Sequence, residues 1–205
     1  MRGFLYALLL IPVLSMAGNA NSGKIPAGAK FLANENPNTE SVLSEEFFPV
    51  SGSADGIVYR RHGDGSATFG VDLDLNSRQS QWEVLCMYDG FDDTAGCGVR
   101  QRQLFIFIDK RCVPAAHIGN NNYPGTNVAA RIESQKPIIS DTKSKGVMSE
   151  TASLTIQKAL SANKKLLIRY REWPDRAWTD ENIDPTGFAL AFKYTCWAAK
   201  NLGKP

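Results

Sequence analysis

Residues 81–101 read QWEVLCMYDGFDDTAGCGVRQ, and this stretch carries the clearest structural signal in the chain. Its first part has a period of two, which predicts Trp82 and Val84 on one face of a strand and Glu83 on the other. Residues 89–96 are rich in Asp and Gly and predict a turn. Another strand-like run follows. The stretch therefore predicts an antiparallel β-hairpin.

The chain has four cysteines, Cys86, Cys97, Cys112 and Cys196. In an oxidising compartment an even count predicts two disulfides, with three pairings open. A bridge from Cys86 to Cys97 across the hairpin is geometrically easy and leaves Cys112 for Cys196. The chain has no Cys-x-x-Cys pair and no histidine near Cys86 or Cys97, which disfavours a zinc site and thiol redox catalysis. We expect no metal and no cofactor.

The oxidising compartment is inferred from the first twenty residues. Arg2 gives the first three residues a positive charge, and residues 4–14 are almost continuously apolar. This run has the length of a signal-peptide core and is too short to cross a bilayer as a helix, which disfavours an uncleaved anchor. Small residues follow, so we expect cleavage after Ala20, with Ala17 as the alternative. The mature protein is then periplasmic or secreted and has no integral membrane segment.

Composition and charge exclude several protein classes. Hydrophobic residues make up 43% of the 205 residues and charged residues 21%, which is typical of a globular domain and excludes disordered, collagen-like and multi-span membrane chains. Loss of Arg2 with the signal leaves 22 basic residues against 21 acidic ones, a net charge of +1. A nucleic-acid-binding protein normally carries a clear basic excess, so no nucleic-acid partner is expected.

The remaining chain predicts one β domain. Residues 21–45 are rich in Asn, Ser, Gly and Pro and predict an extended arm, and residues 46–205 form the domain. The predicted strands are 47–50, 56–61, 66–75, 81–88, 99–109, 127–133, 137–141 and 165–170. Residues 112–125 and 172–181 are predicted loops. We expect a mainly β, single-domain antiparallel β-sandwich with one or two helices, including a C-terminal helix.

Two stretches have helical periodicity. In residues 149–162 either Ser149 or Ser153 is a suitable N-cap. The C-terminal helix is predicted to start with Asp184 as N-cap and Pro185 in its first turn. Its apolar face includes Cys196, which would let that cysteine reach a partner such as Cys112.

Four short patterns resemble those of a known family. They are a Trp-x-x-x-Cys strand (WEVLC, 82–86), a Cys-x-x-x-Gln strand (CGVRQ, 97–101), a central strand (VAARIE, 128–133) and a C-terminal helix pattern (GFALAF, 187–192). In this order they resemble the invasion-associated locus B family of exported bacterial proteins, over about residues 80–200. Residues 21–79 have no clear counterpart. The family usually has a second local cysteine pair near residues 140–149, which this chain lacks.

The resemblance implies a compact β-sandwich with a few helices, exported to the periplasm or the cell surface. The family is linked to invasion or colonisation of host cells and has no established catalytic residues. The sequence also offers little catalytic chemistry. Its two histidines are His62 and His117, and it has no Gly-x-Ser-x-Gly, His-Glu-x-x-His or phosphate-binding glycine loop. We expect no catalytic residue, and a hydrolase that uses His62 is the remaining enzyme hypothesis.

The best candidate for partner binding is the aromatic loop after residue 170. Trp173 and Trp178 lie five residues apart with Arg176 between them and Arg171 just before. Aromatic and Arg side chains contribute a large share of interface energy, so this loop predicts a recognition surface, with Tyr123 as a further candidate. The alternative is that both indoles are buried at the edge of the sandwich.

These observations leave two function classes. The first is a non-catalytic exported protein of the invasion-associated type that binds a host or envelope protein. The second is a periplasmic inhibitor or immunity protein that blocks a toxin or a cell-wall hydrolase.

Overall fold

The computed structural model of this chain describes residues 51–62, 65–89, 94–174 and 177–201. The predicted signal peptide (1–20), the arm (21–45) and the predicted strand 47–50 lie outside these residues. Within the described ranges there are eleven strands and two α-helices. In chain order they are β1 (Ser51–Ala54), β2 (Ile57–Arg61), β3 (Ala67–Gly70), β4 (Trp82–Asp89), β5 (Thr94–Gln101), β6 (Leu104–Ile108), β7 (Pro114–Ile118), β8 (Ala129–Ile132), β9 (Ile138–Ile139), α1 (Glu150–Ser161), β10 (Leu166–Tyr170), β11 (Thr179–Ile183) and α2 (Phe188–Asn201).

The strands form two antiparallel sheets. The large sheet has seven strands in chain order, β1 to β7, and the small sheet has four in the order β11-β10-β8-β9. Sequential neighbours of the large sheet are joined by short connections, as expected for antiparallel strands. The predicted mainly β, antiparallel class with a C-terminal helix is confirmed.

The C-terminal helix covers the inner face of the large sheet. It contacts β3, β4, β5 and β6. The period-two pattern of β4 places Trp82 and Val84 in the core, both 0% exposed, as predicted. Phe188 of α2 packs on Trp82, with ring centroids 4.8 Å apart. Each large apolar side chain buried in this way stabilises the fold by about 1.5–3 kcal/mol.

Helix α1 is capped by one serine and attached to the sheet by another. The side chain of Ser149 accepts a hydrogen bond from the amide of Ala152 and is the N-cap. Ser153 is fully buried, and its hydroxyl accepts a hydrogen bond of 2.9 Å from the amide of Ala116 in β7. The two serines that the sequence offers as N-caps therefore have different roles.

Trp82 and Gln101, from the two strands of the hairpin motif (residues 81–101), both bind the chain just before α2. The indole Nε1 of Trp82 donates to the carbonyl of Asp184 at 3.0 Å. The buried amide of Gln101 donates to the carbonyls of Ser80 (3.0 Å) and Asp184 (3.1 Å), and its Oε1 accepts from the amide of Asp184 at 2.6 Å. This network connects the end of β5 to the chain that enters α2. The Asp184 carboxylate accepts from the amide of Thr186, as an N-cap would. The helix nevertheless begins at Phe188 rather than directly after Asp184 as predicted, because Gly187 has a φ of 83°, outside the helical region.

The four cysteines form two pairs. Cys86 and Cys97 are direct partners in the register of β4 and β5, with Cα atoms 4.1 Å apart, and form the hairpin disulfide. Cys112 and Cys196 lie 84 residues apart in sequence, with Cα atoms 5.1 Å apart, and form the long-range disulfide. This is the pairing predicted from the hairpin geometry. The long-range disulfide links α2 to the turn before β7.

One predicted strand ends early. Residues 66–75 were expected to be one strand with Asp72 and Asp74 on its solvated face, but β3 ends at Gly70 and a 3-10 helix covers Leu75–Ser80. The carboxylate of Asp72 accepts from the amide of Asp74 and the hydroxyl of Ser77. Aspartate that bonds nearby backbone in this way favours turns over strands, which explains the error.

Three further expectations about segments are wrong. The predicted strand 99–109 is a hairpin, since Gln101 pairs with Leu104 across a turn in which Arg102 has a φ of 52°. A non-glycine residue in this conformation leaves no sequence signal for the turn. Predicted loop 112–125 contains β7, and predicted loop 172–181 contains most of β11. Both are edge strands with few large apolar residues, so their periodicity is weak.

Candidate functional site

Two loops from different sheets come together around Tyr123 and Trp173. Tyr123 follows β7, and Trp173 follows β10. The amide of Tyr123 donates to the carbonyl of Arg171 at 2.8 Å, and the amide of Trp173 donates to the carbonyl of Asn121 at 2.7 Å. These reciprocal backbone hydrogen bonds hold the two loops in register, so the aromatic residues are placed by secondary structure rather than by side-chain contacts alone.

The side chains of these loops form a compact aromatic surface, which we define as Tyr123, Arg171 and Trp173. The rings of Tyr123 and Trp173 have centroids 5.0 Å apart. The guanidinium carbon of Arg171 lies 4.7 Å from the centroid of the Tyr123 ring, a cation–π distance. Trp173 keeps 52% of its surface exposed. A large indole is therefore supported from behind and presented to solvent.

Asn122 shapes the loop beneath this surface. Its side-chain amide donates a hydrogen bond to the backbone carbonyl of Ile118 at 2.7 Å. Gly119 approaches the Asn122 side chain so closely that a Cβ would collide with it, and its φ of 77° also favours glycine. A loop held in this way loses little conformational entropy when a partner binds.

The sequence also predicts Trp178 and Arg176 as partner-binding residues. Trp178 is 49% exposed and lies directly before β11, and the structure shows no ring contact between it and the other described aromatic residues. Arg176 lies outside the described residues. The alternative of two buried indoles is not what the structure shows, because Trp173 and Trp178 are both about half exposed. The structure thus brings together Tyr123 and Trp173 with Arg171, and leaves Trp178 apart.

An ion pair reinforces the hairpin that carries Trp173. Arg169 in β10 and Asp180 in β11 are register partners, and both guanidinium–carboxylate distances are 2.6 Å. The hydrogen bonds from Arg169 hold the pKa of Asp180 below its ordinary value. The carboxylate therefore stays charged at neutral pH, and the pair holds the two strands at the base of the loop together.

A further surface, which the sequence reasoning missed, lies on the outward-facing side of the large sheet. Registers place Thr68, Glu83, Arg100, Phe105 and His117 in one row across β3 to β7. Burial disfavours the charged form of Glu83, but hydrogen bonds and charge from Arg100 and Arg78 outweigh that effect and hold its pKa below the ordinary value. We call this side of the large sheet the outer face. This row of residues cannot be recognised in the sequence, because it depends on how the strands pair.

The histidines take part in backbone contacts. His62 closes the β2–β3 turn, where its amide donates to the carbonyl of Ser66 at 2.8 Å. The ring Nε2 of His117 lies 3.0 Å from the carbonyl of Lys145. Glu83, which lines the same cavity as His62, is bound by two arginines rather than oriented toward the imidazole. Among the described residues no group of three His, Cys, Asp or Glu side chains is arranged to hold a metal ion.

Neither α1 nor α2 combines the length and the apolarity needed to cross a bilayer. No protein-family model, no curated protein and no solved structure matches this chain.

Proposed function

We propose that this chain is an exported, non-catalytic binding protein that recognises a protein partner through its aromatic surface. The observation that carries the proposal is Trp173, which is half exposed while its backbone is held by the Asn121 loop and its ring contacts Tyr123. A folded protein usually buries such an indole. Exposed, preorganised Trp and Arg side chains are the typical centres of protein interfaces.

Export to the periplasm or beyond is supported by two independent features. The N-terminal residues have the charge and apolar pattern of a signal peptide. The two disulfides fit an oxidising compartment. The resemblance of four short sequence patterns to those of the invasion-associated locus B family supports a host-cell or envelope protein as the partner.

The proposal is tested by capturing partners with the mature chain, residues 21–205. Tagged wild-type protein, Trp173→Ala and Ile139→Ala are incubated with bacterial envelope extract and with host-cell extract, and bound proteins are quantified by mass spectrometry. Ile139 is a matched control, because it is 60% exposed but lies in β9, outside the aromatic surface. We expect a partner that Ile139→Ala retains and Trp173→Ala loses.

The affinity for the purified partner then gives the magnitude. Removing a tryptophan at the centre of an interface costs about 2 kcal/mol or more, which is about 30-fold in Kd. Equal affinity of Trp173→Ala and wild type would contradict the proposal. A partner that proves to be a single toxin or cell-wall hydrolase would instead identify the chain as an inhibitor or immunity protein.

A further inference from the structure

The outer face combines exposed cations with exposed apolar side chains. Arg100 is 43% exposed in its side chain, and Phe107 is 46% exposed. Phe105 and Phe107 lie with ring centroids 4.1 Å apart. The Phe105 ring lies over Gly98, where a Cβ would collide with it. Because residue 98 is glycine, the Phe105 ring can lie against β5, where it forms an apolar floor together with Phe107.

The charge of the outer face is unbalanced. The described residues that line its cavities include four arginines but one carboxylate, that of Glu83. One oxygen of Glu83 lies 3.3 Å from Arg78 and the other 2.6 Å from Arg100, so its charge is shared between two guanidinium groups. Arg102 donates to the neutral amide of Gln79 at 2.9 Å. Arg60 is the fourth arginine. The four arginines outnumber the carboxylates even when Glu181 is counted, whose carboxylate accepts from the amide of Gln103 at 3.3 Å.

Two cavities on this face meet at Arg100 and Arg102. One has a volume of about 510 Å³ and includes Phe105, Phe107 and Asn120, and the other has a volume of about 620 Å³. Together they form a groove, which we call the arginine groove. It reaches the loop of the aromatic surface, because Asn120 directly precedes Asn121, the residue that binds the amide of Trp173.

We propose that the arginine groove binds an acidic segment of the protein partner, with its carboxylates at Arg100 and Arg102 and its apolar side chains on Phe105 and Phe107. This inference rests on the proposed function and names the chemistry of the partner. Arginine can pair with a carboxylate of Asp or Glu through two parallel hydrogen bonds. Arg102 donates to Gln79 through Nη2, and Arg100 binds Glu83 through Nε and Nη2, so a peptide carboxylate would use the remaining N–H donors of each. A groove that mixes guanidinium groups with phenyl rings complements a segment in which acidic and apolar residues alternate.

The test uses a synthetic heptapeptide of alternating Glu and Phe, labelled with fluorescein, and the mature chain. Binding is measured by fluorescence anisotropy for wild type, Arg102→Glu, Arg102→Gln and Arg131→Glu. Arg131 is the matched control, since it is an exposed arginine on β8 of the small sheet. A charge-assisted hydrogen bond contributes about 1.5–3 kcal/mol, so we expect Arg102→Glu to weaken binding about tenfold or more and Arg102→Gln to lie between it and wild type.

Several results would overturn the inference. They are absence of probe binding, equal binding by Arg102→Glu and wild type, and equal binding of a probe with Gln in place of Glu. If the probe binds only after Glu45 and Glu46 of this chain are replaced by Gln, the groove is assigned to the chain's own residues 40–50 and not to a partner. Thermal unfolding of each variant shows that the fold is retained.

The inference and the proposed function fail separately. If capture of the natural partner depends on Trp173 but the probe does not depend on Arg102, the proposed function stands and the groove assignment fails. If the probe depends on Arg102 but capture does not depend on Trp173, the arginine groove remains a binding site and the aromatic surface is not the interface.

Discussion

Replacement of Gln101 by Met tests the network that joins the hairpin motif to the C-terminal helix. Gln101 is 2% exposed, and its amide makes three hydrogen bonds, two as donor and one as acceptor. Methionine has a similar volume, so no large cavity forms and the cost comes from lost hydrogen bonds. At about 1 kcal/mol for each bond, the free energy of unfolding should fall by about 3 kcal/mol. The bond from Trp82 to Asp184 remains in the variant.

The assay is urea unfolding of the oxidised protein, residues 21–205, followed by tryptophan fluorescence. For a domain of this size about 3 kcal/mol corresponds to a fall in Tm of roughly 6–12 °C, which a thermal scan measures independently. Gln103→Met is the matched control, since Gln103 lies two residues away and is only half-buried, and it should change stability by less than about 0.5 kcal/mol. A loss below about 1 kcal/mol for Gln101→Met would refute the claim that this network holds the start of α2.

Two other predictions concern a covalent bond and an ion pair. Replacing Cys112 and Cys196 by Ala opens a loop of 84 residues and should cost about 4–5 kcal/mol in chain entropy, against about 3 kcal/mol for removal of the hairpin disulfide, which spans 11 residues. Urea unfolding measures both, and an equal or larger loss for the hairpin disulfide would contradict this order. Glu83 has a lowered pKa in the fold, so its pair with Arg100 stabilises above the ordinary value of 4.5 and this contribution is lost as pH falls through the lower folded-state pKa. Glu83→Gln should therefore cost about 1 kcal/mol at pH 7 and nothing at the acid end of a urea series run from pH 7 downward, and a pH-independent difference would speak against the pair.

The predictions that held from sequence depend on short-range patterns. The period of two in β4 places Trp82 and Val84 in the core, as expected. The disulfide pairing followed from the proximity of Cys86 and Cys97 across one turn, which left a single partner for Cys112. Trp82 and Val84 are close in sequence, as are Cys86 and Cys97. Cys112 and Cys196 are then the two cysteines left to pair with each other.

The errors fall where sequence signals are weak or non-local. Strand β11 reads TDENI and keeps only Ile183 buried, so it has no recognisable apolar face. The turn at Arg102 lacks the glycine or asparagine that usually marks a two-residue hairpin loop. Both features are decided by pairing with neighbouring strands, which no local pattern contains.

The candidate surfaces show the same limit. Trp173 could be singled out from its loop composition, but its contact with Tyr123 arises because two strand ends, 50 residues apart in sequence, meet. The arginine groove has no sequence signature. Arg78 lies in the 3-10 helix before β4, Arg100 lies in β5, and Arg102 lies in the turn after β5, so they come together only because the hairpin folds beside that helix.

The position of α2 at the end of the chain has a consequence during synthesis. Until residues 188–201 have emerged, the inner face of the large sheet has no cover, and Phe69, Trp82 and Val99 face water. A nascent chain that stops before the helix therefore presents a broad apolar surface of the kind that chaperones bind. The cysteines follow the same order, since Cys97 can meet Cys86 long before Cys196 exists. The long-range disulfide requires α2 and can therefore form only after residue 196 has been added to the chain.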